Sequence, residues 1–213
     1  MGDRECVVLV HGLWVHGLAM SLMRRRITRG GYRALAYSYP SLRLTLAENA
    51  ERLARFCRDL AAPRLHFVGH SLGGLIVLRM LGHAAGIGTG RIVLIGAPVA
   101  GSLAARRLAR LPGGRAALGR SMAEWLEPGQ PFSNAGRDIG VIAGRLPVGI
   151  GRIVAPDLPG PSDGAVSVAE TRLPAMRDHI VLNVSHSGML VSRAVTHQIC
   201  VFLRNGAFEH RDV

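Results

Sequence analysis

Short, nearly unbroken apolar runs alternate along this chain with longer stretches whose apolar residues return every three or four positions. The runs CVVLVHG (6–12), YRALAYSYP (32–40), RLHFVG (64–69), GRIVLIGAPV (90–99), DIGVIAGR (138–145) and DHIVLNVSH (178–186) read as strands, the second stopped by Pro40. Helical spacing fits residues 17–31, 45–62, 71–86 and 193–206. In the second of these, Leu46, Ala50, Leu53, Ala54, Cys57 and Leu60 fall on one face. Val/Leu/Ile-rich strands with helices between them predict a parallel sheet covered on both faces, because a right-handed crossover needs the intervening helix. The expected fold class is α/β, with about six mostly parallel strands in one compact domain spanning residues 1–213. Two segments break the rhythm. Residues 99–137 hold two weakly helical pieces and no strand, and read as a small, lid-like helical insert. Residues 145–164 form a Gly/Pro-rich connection of a length usually tied to function or motion.

Composition narrows the classes. The 213 residues, 48% hydrophobic and 19% charged, suffice for one well-filled core and argue against disorder. No run approaches the roughly 20 apolar residues of a membrane-spanning helix. The opening MGDRECVVLVHG carries acids beside its arginine and enters a strand at once, unlike a secretory leader, so a cytoplasmic location is expected. Cys6, Cys57 and Cys200 are odd in number and far apart; they suggest no disulfide framework or metal site and read as small buried apolar residues. The net charge of +12 is carried by arginine without any lysine, which reflects coding bias as much as selection for a partner. Apart from RRR at 24–26 and ARRLAR at 105–110 the basic residues are dispersed, and aromatics make up only 5%, a poor basis for binding nucleic acid. Anionic substrates, or weak association with an anionic membrane surface, suit that charge better.

Ligands of an open parallel sheet gather beyond the carboxyl ends of its strands. His11, Gly12 and Leu13 follow the first strand there, and Gly69-His70-Ser71-Leu72-Gly73 follows the third. Asp157 and Asp163 lie in the long loop after the fifth strand, and His186 follows the sixth. Ser71 stands at a strand-to-helix corner with glycines two places before and after it, which leaves room for a strained turn that presents its hydroxyl. A plain helix N-cap would also favour serine but would not need those glycines. His186 lies past its strand end, where a loop can aim it at Ser71; His179 begins the strand instead. Asp178 precedes its strand, which leaves Asp157 and Asp163 as the candidate acids. The amides of Leu72 and Leu13 are free to face a developing oxyanion. His11 and His70 read as residues that hold loops together. No His/Cys/Asp cluster has metal-ligand spacing, and no glycine-rich phosphate cradle follows the first strand.

Over nearly its whole length the chain resembles the α/β-hydrolase fold family, most closely its small bacterial lipases and esterases. VVLVHGLW is similar to the family's oxyanion strand and loop, and VGHSLGGL to its nucleophile elbow. SDGAVSVAET is similar to the segment bearing the catalytic acid, and LNVSHSGML to the one bearing the catalytic histidine. The resemblance implies Ser71 as nucleophile, His186 as general base, Asp163 as the acid that orients it, and Leu13 and Leu72 as oxyanion donors. It implies cleavage of carboxylic esters through an acyl-enzyme, without a cofactor. An acyltransferase or thioesterase would use the same triad, and a non-catalytic ligand-binding protein could share the fold. Residues 99–137 fall where this family often inserts a lid. There Leu103, Leu108, Leu111, Leu118, Met122, Trp125 and Leu126 either roof an acyl chain or pack on the core, and Arg106, Arg107 and Arg110 either meet an anionic head group or form a solvated face. Trp14, Met122 and Trp125 are the expected substrate contacts, for a small ester with an apolar, short-to-medium acyl group.

Overall fold

The structure, a computed structural model, describes residues 5–60, 62, 64–83, 85–129, 135–149, 151–174 and 176–210. Its strands are β1 (Cys6–Val10), β2 (Arg33–Tyr37), β3 (Leu65–His70), β4 (Ile92–Ile95), β5 (Ile139–Gly144) and β6 (Asp178–Leu182). They form one sheet in the order β2-β1-β3-β4-β5-β6, every pair parallel. The helices are α1 (Ser21–Arg29), α2 (Leu46–Asp59), α3 (Leu72–Met80), α4 (Leu103–Arg110), α5 (Gly114–Trp125), α6 (Gly151–Val154) and α7 (Arg193–Asn205). All strands but β3 end sooner than the apolar runs suggested, and β3 runs one residue further, to His70; β1 stops at Val10, where the His11 carbonyl leaves the ladder to accept the Tyr39 hydroxyl at 2.7 Å.

Alternation along the strands divides the core into two layers. Cys6, Val8 and Val10 of β1 pack with α2, α3 and α5, while Val7 and Leu9 pack with α1 and α7. α3 is buried on nearly all sides, as its continuous apolar sequence requires. α2 starts at a reciprocal capping box in which the Thr45 hydroxyl accepts the Glu48 amide at 3.1 Å and the Glu48 carboxylate accepts the Thr45 amide at 2.8 Å.

Strand order reverses between β1 and β3. The chain leaves β1 for the edge strand β2, then crosses to β3 and continues toward β6. The loops after β1 and β3 therefore diverge to opposite faces and open a crevice at the carboxyl ends of two adjacent central strands. At the opposite end of the sheet the buried Arg137 donates to the carbonyls of Leu65, Gly90, Ile87 and Gly88 and lies 5.6 Å over the Phe67 ring. Among the described residues no helix is long and apolar enough to cross a membrane.

Candidate active site

Ser71 sits between β3 and α3 with φ 52° and ψ −123°, a conformation that L side chains rarely adopt. Its side chain makes no capping hydrogen bond, which removes the helix-cap reading. The flanking glycines have distinct tasks. A Cβ on Gly73 would run into the Val10 and His11 carbonyls, and one on Gly69 would meet the Gly73–Gly74 backbone. Gly74 is equally constrained, since its Cβ would stand 2.6 Å from that of Ala97. α3 thus comes against the ends of β1, β3 and β4 only because three positions lack side chains. Leu72 opens the helix, so its amide has no acceptor one turn back.

The acid and the imidazole meet directly. His186 Nδ1 lies 2.8 Å from Asp163 Oδ2, and the His186 amide donates to the Asp163 carbonyl at 2.8 Å. Asp163 is 0% exposed. Its other oxygen, Oδ1, accepts the amides of Ala165 at 2.9 Å and Val166 at 2.8 Å, so the turn SDGAVS wraps the carboxylate in its own N–H groups. The remaining acids do other work: Asp157 forms a bidentate pair with Arg107 at the surface, and Asp178 binds His210 and the Phe208 amide. His179 pairs with the Thr171 hydroxyl.

His70 joins the two halves of the site. Directly before Ser71, it is buried, its ring centroid 4.7 Å from that of His186, and its Nε2–H donates to the His186 carbonyl at 3.1 Å. Burial, with the neighbouring His186, pushes its pKa down to about 3, so it is a neutral imidazole. Across the β3–β4 pair the Ser71 amide donates to Ile95 at 3.0 Å, and the next residue, Gly96, lies beside the Asp163–His186 pair. Ser71, Asp163 and His186 thus occupy one rim of the sheet. A Cβ on Gly96 would stand 3.0 Å from Asp163 Oδ2 and 3.1 Å from His186 Nδ1. Sequence reasoning missed Gly96; the available signal was a glycine interrupting the apolar run 90–99.

The loop after β1 closes the crevice. His11 Nδ1 donates to the Gly12 carbonyl at 2.8 Å while its Nε2 accepts the Tyr39 amide at 3.3 Å, and its ring stacks on Tyr39 at 4.3 Å. Burial lowers the His11 pKa and raises that of Tyr39 well above its ordinary value, so both are neutral. Gly12 abuts Ser71: a Cβ there would lie 3.1 Å from that of Ser71. Leu13 follows, half-buried against the core, and then Trp14, which is 52% exposed.

Both expected helices are present between β4 and β5, and the apolar face of α5 is turned inward. Leu118, Met122 and Trp125 are buried in the core layer that contains α2 and α3, Met122 at 6% and Trp125 at 8% exposure. Leu111 is exposed. Of the three expected substrate contacts, Trp14 alone presents a large exposed surface. Cys6 and Cys57 are buried, as expected of apolar filler; burial pushes the Cys57 thiol up to about 12, and Cys200 is half-buried. Among the described residues no group of three His, Cys, Asp or Glu side chains could hold a metal ion.

Residues 7–149 match the model of the alpha/beta hydrolase family, and the chain belongs to that family. Solved structures share the fold at low identity. A lipase from Bacillus licheniformis, BlEst2 in its mature form, is 19% identical with a TM-score of 0.72, over 95% of this chain and 91% of that one. A hydrolase from Pseudomonas aeruginosa is 17% identical with a TM-score of 0.69, over 96% and 91%. The carboxylesterase CesB from Bacillus subtilis is 16% identical with a TM-score of 0.59, over 97% and 85%. No curated protein matches the sequence.

Proposed function

We propose that this hydrolase cleaves carboxylic esters through Ser71, His186 and Asp163, within a single catalytic domain. The observation that carries the reading is the hydrogen bond from the half-buried His186 to the buried Asp163, packed against the residue that precedes a strained, uncapped serine. With Nδ1–H bonded to the carboxylate, the His186 ring offers Nε2 as the base. Ser71 Oγ attacks the acyl carbonyl and Nε2 takes its proton. The amides of Leu13 and Leu72 hold the oxyanion, and the imidazolium returns the proton to the departing alcohol. Water then repeats the sequence and releases the acid. The exposed Leu18, Leu111, Leu146, Val148 and Ile153 lie on segments that leave the carboxyl ends of β1, β4 and β5, which favours an apolar acyl group.

The test is labelling with a fluorophosphonate, followed by turnover of p-nitrophenyl esters of increasing chain length. Wild type is expected to be labelled and to prefer short-to-medium chains; Ser71→Ala and His186→Ala are expected to lose labelling. Labelling retained in Ser71→Ala, or no turnover at any chain length, would refute the assignment.

A further inference from the structure

A tryptophan held in a left-handed conformation needs something to hold it. Trp14 has φ 61°, among the few non-glycine residues at positive φ, and its ring is half in solvent, so packing does not impose the strain. One directional contact does: the indole Nε1–H donates to the Ala117 carbonyl at 2.7 Å, across 103 positions of sequence.

That carbonyl is available because of a break in α5. Gly119, with φ 67° and ψ 176°, interrupts the helix, and the reversal takes away the amide one turn on that Ala117 would otherwise accept. The break is itself fixed. The Arg120 amide donates to the Leu42 carbonyl at 2.9 Å, and a Cβ on Gly119 would collide with the Leu42 backbone. Beyond the break, Ser121 Oγ donates to the Leu44 carbonyl at 2.7 Å and accepts Asn49 Nδ2 at 2.9 Å. The acceptor thus belongs to a platform bolted to α2 and to the loop after β2.

We infer that Trp14 is a positioning residue for the oxyanion turn, with the Ala117 carbonyl at the break in α5 as its anchor. The inference rests on the proposed role of Leu13. The turn is clamped at its start by His11, through Gly12 and Tyr39, and at its end by Trp14; Leu13 lies between the clamps. Without the indole N–H, Trp14 relaxes toward negative φ and the far end of the turn is released, so the Gly12–Leu13 peptide, which carries the Leu13 N–H, is no longer held in the direction the oxyanion needs. Such a change weakens binding of the developing charge and leaves ground-state binding alone.

Trp14→Phe keeps an aromatic ring at an exposed position and removes only the donor. For p-nitrophenyl butyrate, kcat is expected to fall roughly tenfold, short of the 10²–10³ that deleting a donor costs, with KM within about twofold. The inhibition constant of an alkyl boronic acid, which forms a tetrahedral anion on the serine, is expected to rise by the same factor, with an unchanged melting temperature. Unchanged kcat and boronate affinity overturn the inference. So does a rise in KM with kcat intact, which would make Trp14 a substrate contact. Failure of the underlying reading looks different: wild-type Ser71 would then not react with fluorophosphonate, and both proposals would fall together.

Discussion

Gly96 follows the last residue of β4 at φ 56°, beside the two atoms that join Asp163 to His186. A methyl group there is strained by the backbone and crowds Oδ2 and Nδ1 at 3.0 and 3.1 Å, so the pair must separate or the strand end must shift. Gly96→Ala is expected to lower kcat by about a hundredfold, because small displacements are costly in rate for a general base, the role proposed for His186, and to slow fluorophosphonate labelling in parallel. Full activity in that variant would show that the pair's geometry is slack. At this scale the sequence was legible where chemistry is concentrated: a serine between glycines, a histidine past a strand end. It was silent on Gly96, because what makes a glycine obligatory is the atom facing it, and Asp163 and His186 come from distant parts of the chain.

The two helices of the insert differ in how they are fastened. α4 buries only Ala105, whereas α5 buries six residues, among them Ser121. The buried Ser121 hydroxyl links the buried Asn49 to the Leu44 carbonyl, and its removal leaves both partners without it. Ser121→Ala is expected to cost about 1–3 kcal/mol, the price of unpaired buried polar groups, read as a lower melting temperature with kcat little changed. Periodicity showed that residues 99–137 contain helices, but not which way they face. An amphipathic stripe suits a roof over substrate and a lining of the core equally well. The buried Met122 and Trp125 belong to the core, and the polar anchors that fix them there lie in α2 and in the loop after β2.

Across the whole molecule, burial holds His11, His66 and His70 below their ordinary pKa, His70 down to about 3 from 6.5. Above pH 6.5 these rings are neutral in both folded and unfolded chains, and their full contribution to stability is present. As pH falls from 6.5 toward 3 the unfolded chain takes up a proton that native His70 refuses, so stability declines by up to about 1.4 kcal/mol per pH unit from this group, with His11 and His66 acting in the same direction. Urea unfolding at about pH 7 and about pH 5 is expected to show this loss, with a shallower dependence in His70→Asn; an equally steep slope in the variant would contradict the burial of a neutral His70.

The alternation of apolar runs and helical stretches determined the parallel sheet and its two helical layers, since backbone hydrogen bonding and burial on both faces admit few other solutions. The local sequence likewise determined a serine at a sharp corner. Strand order, the reversal between β1 and β3, and the meeting of Asp163 with His186 were decided only in three dimensions. So was the bond from Trp14 to Ala117. Each depends on which distant backbone or side-chain atoms come into contact, and a local pattern of hydrophobicity carries no record of that.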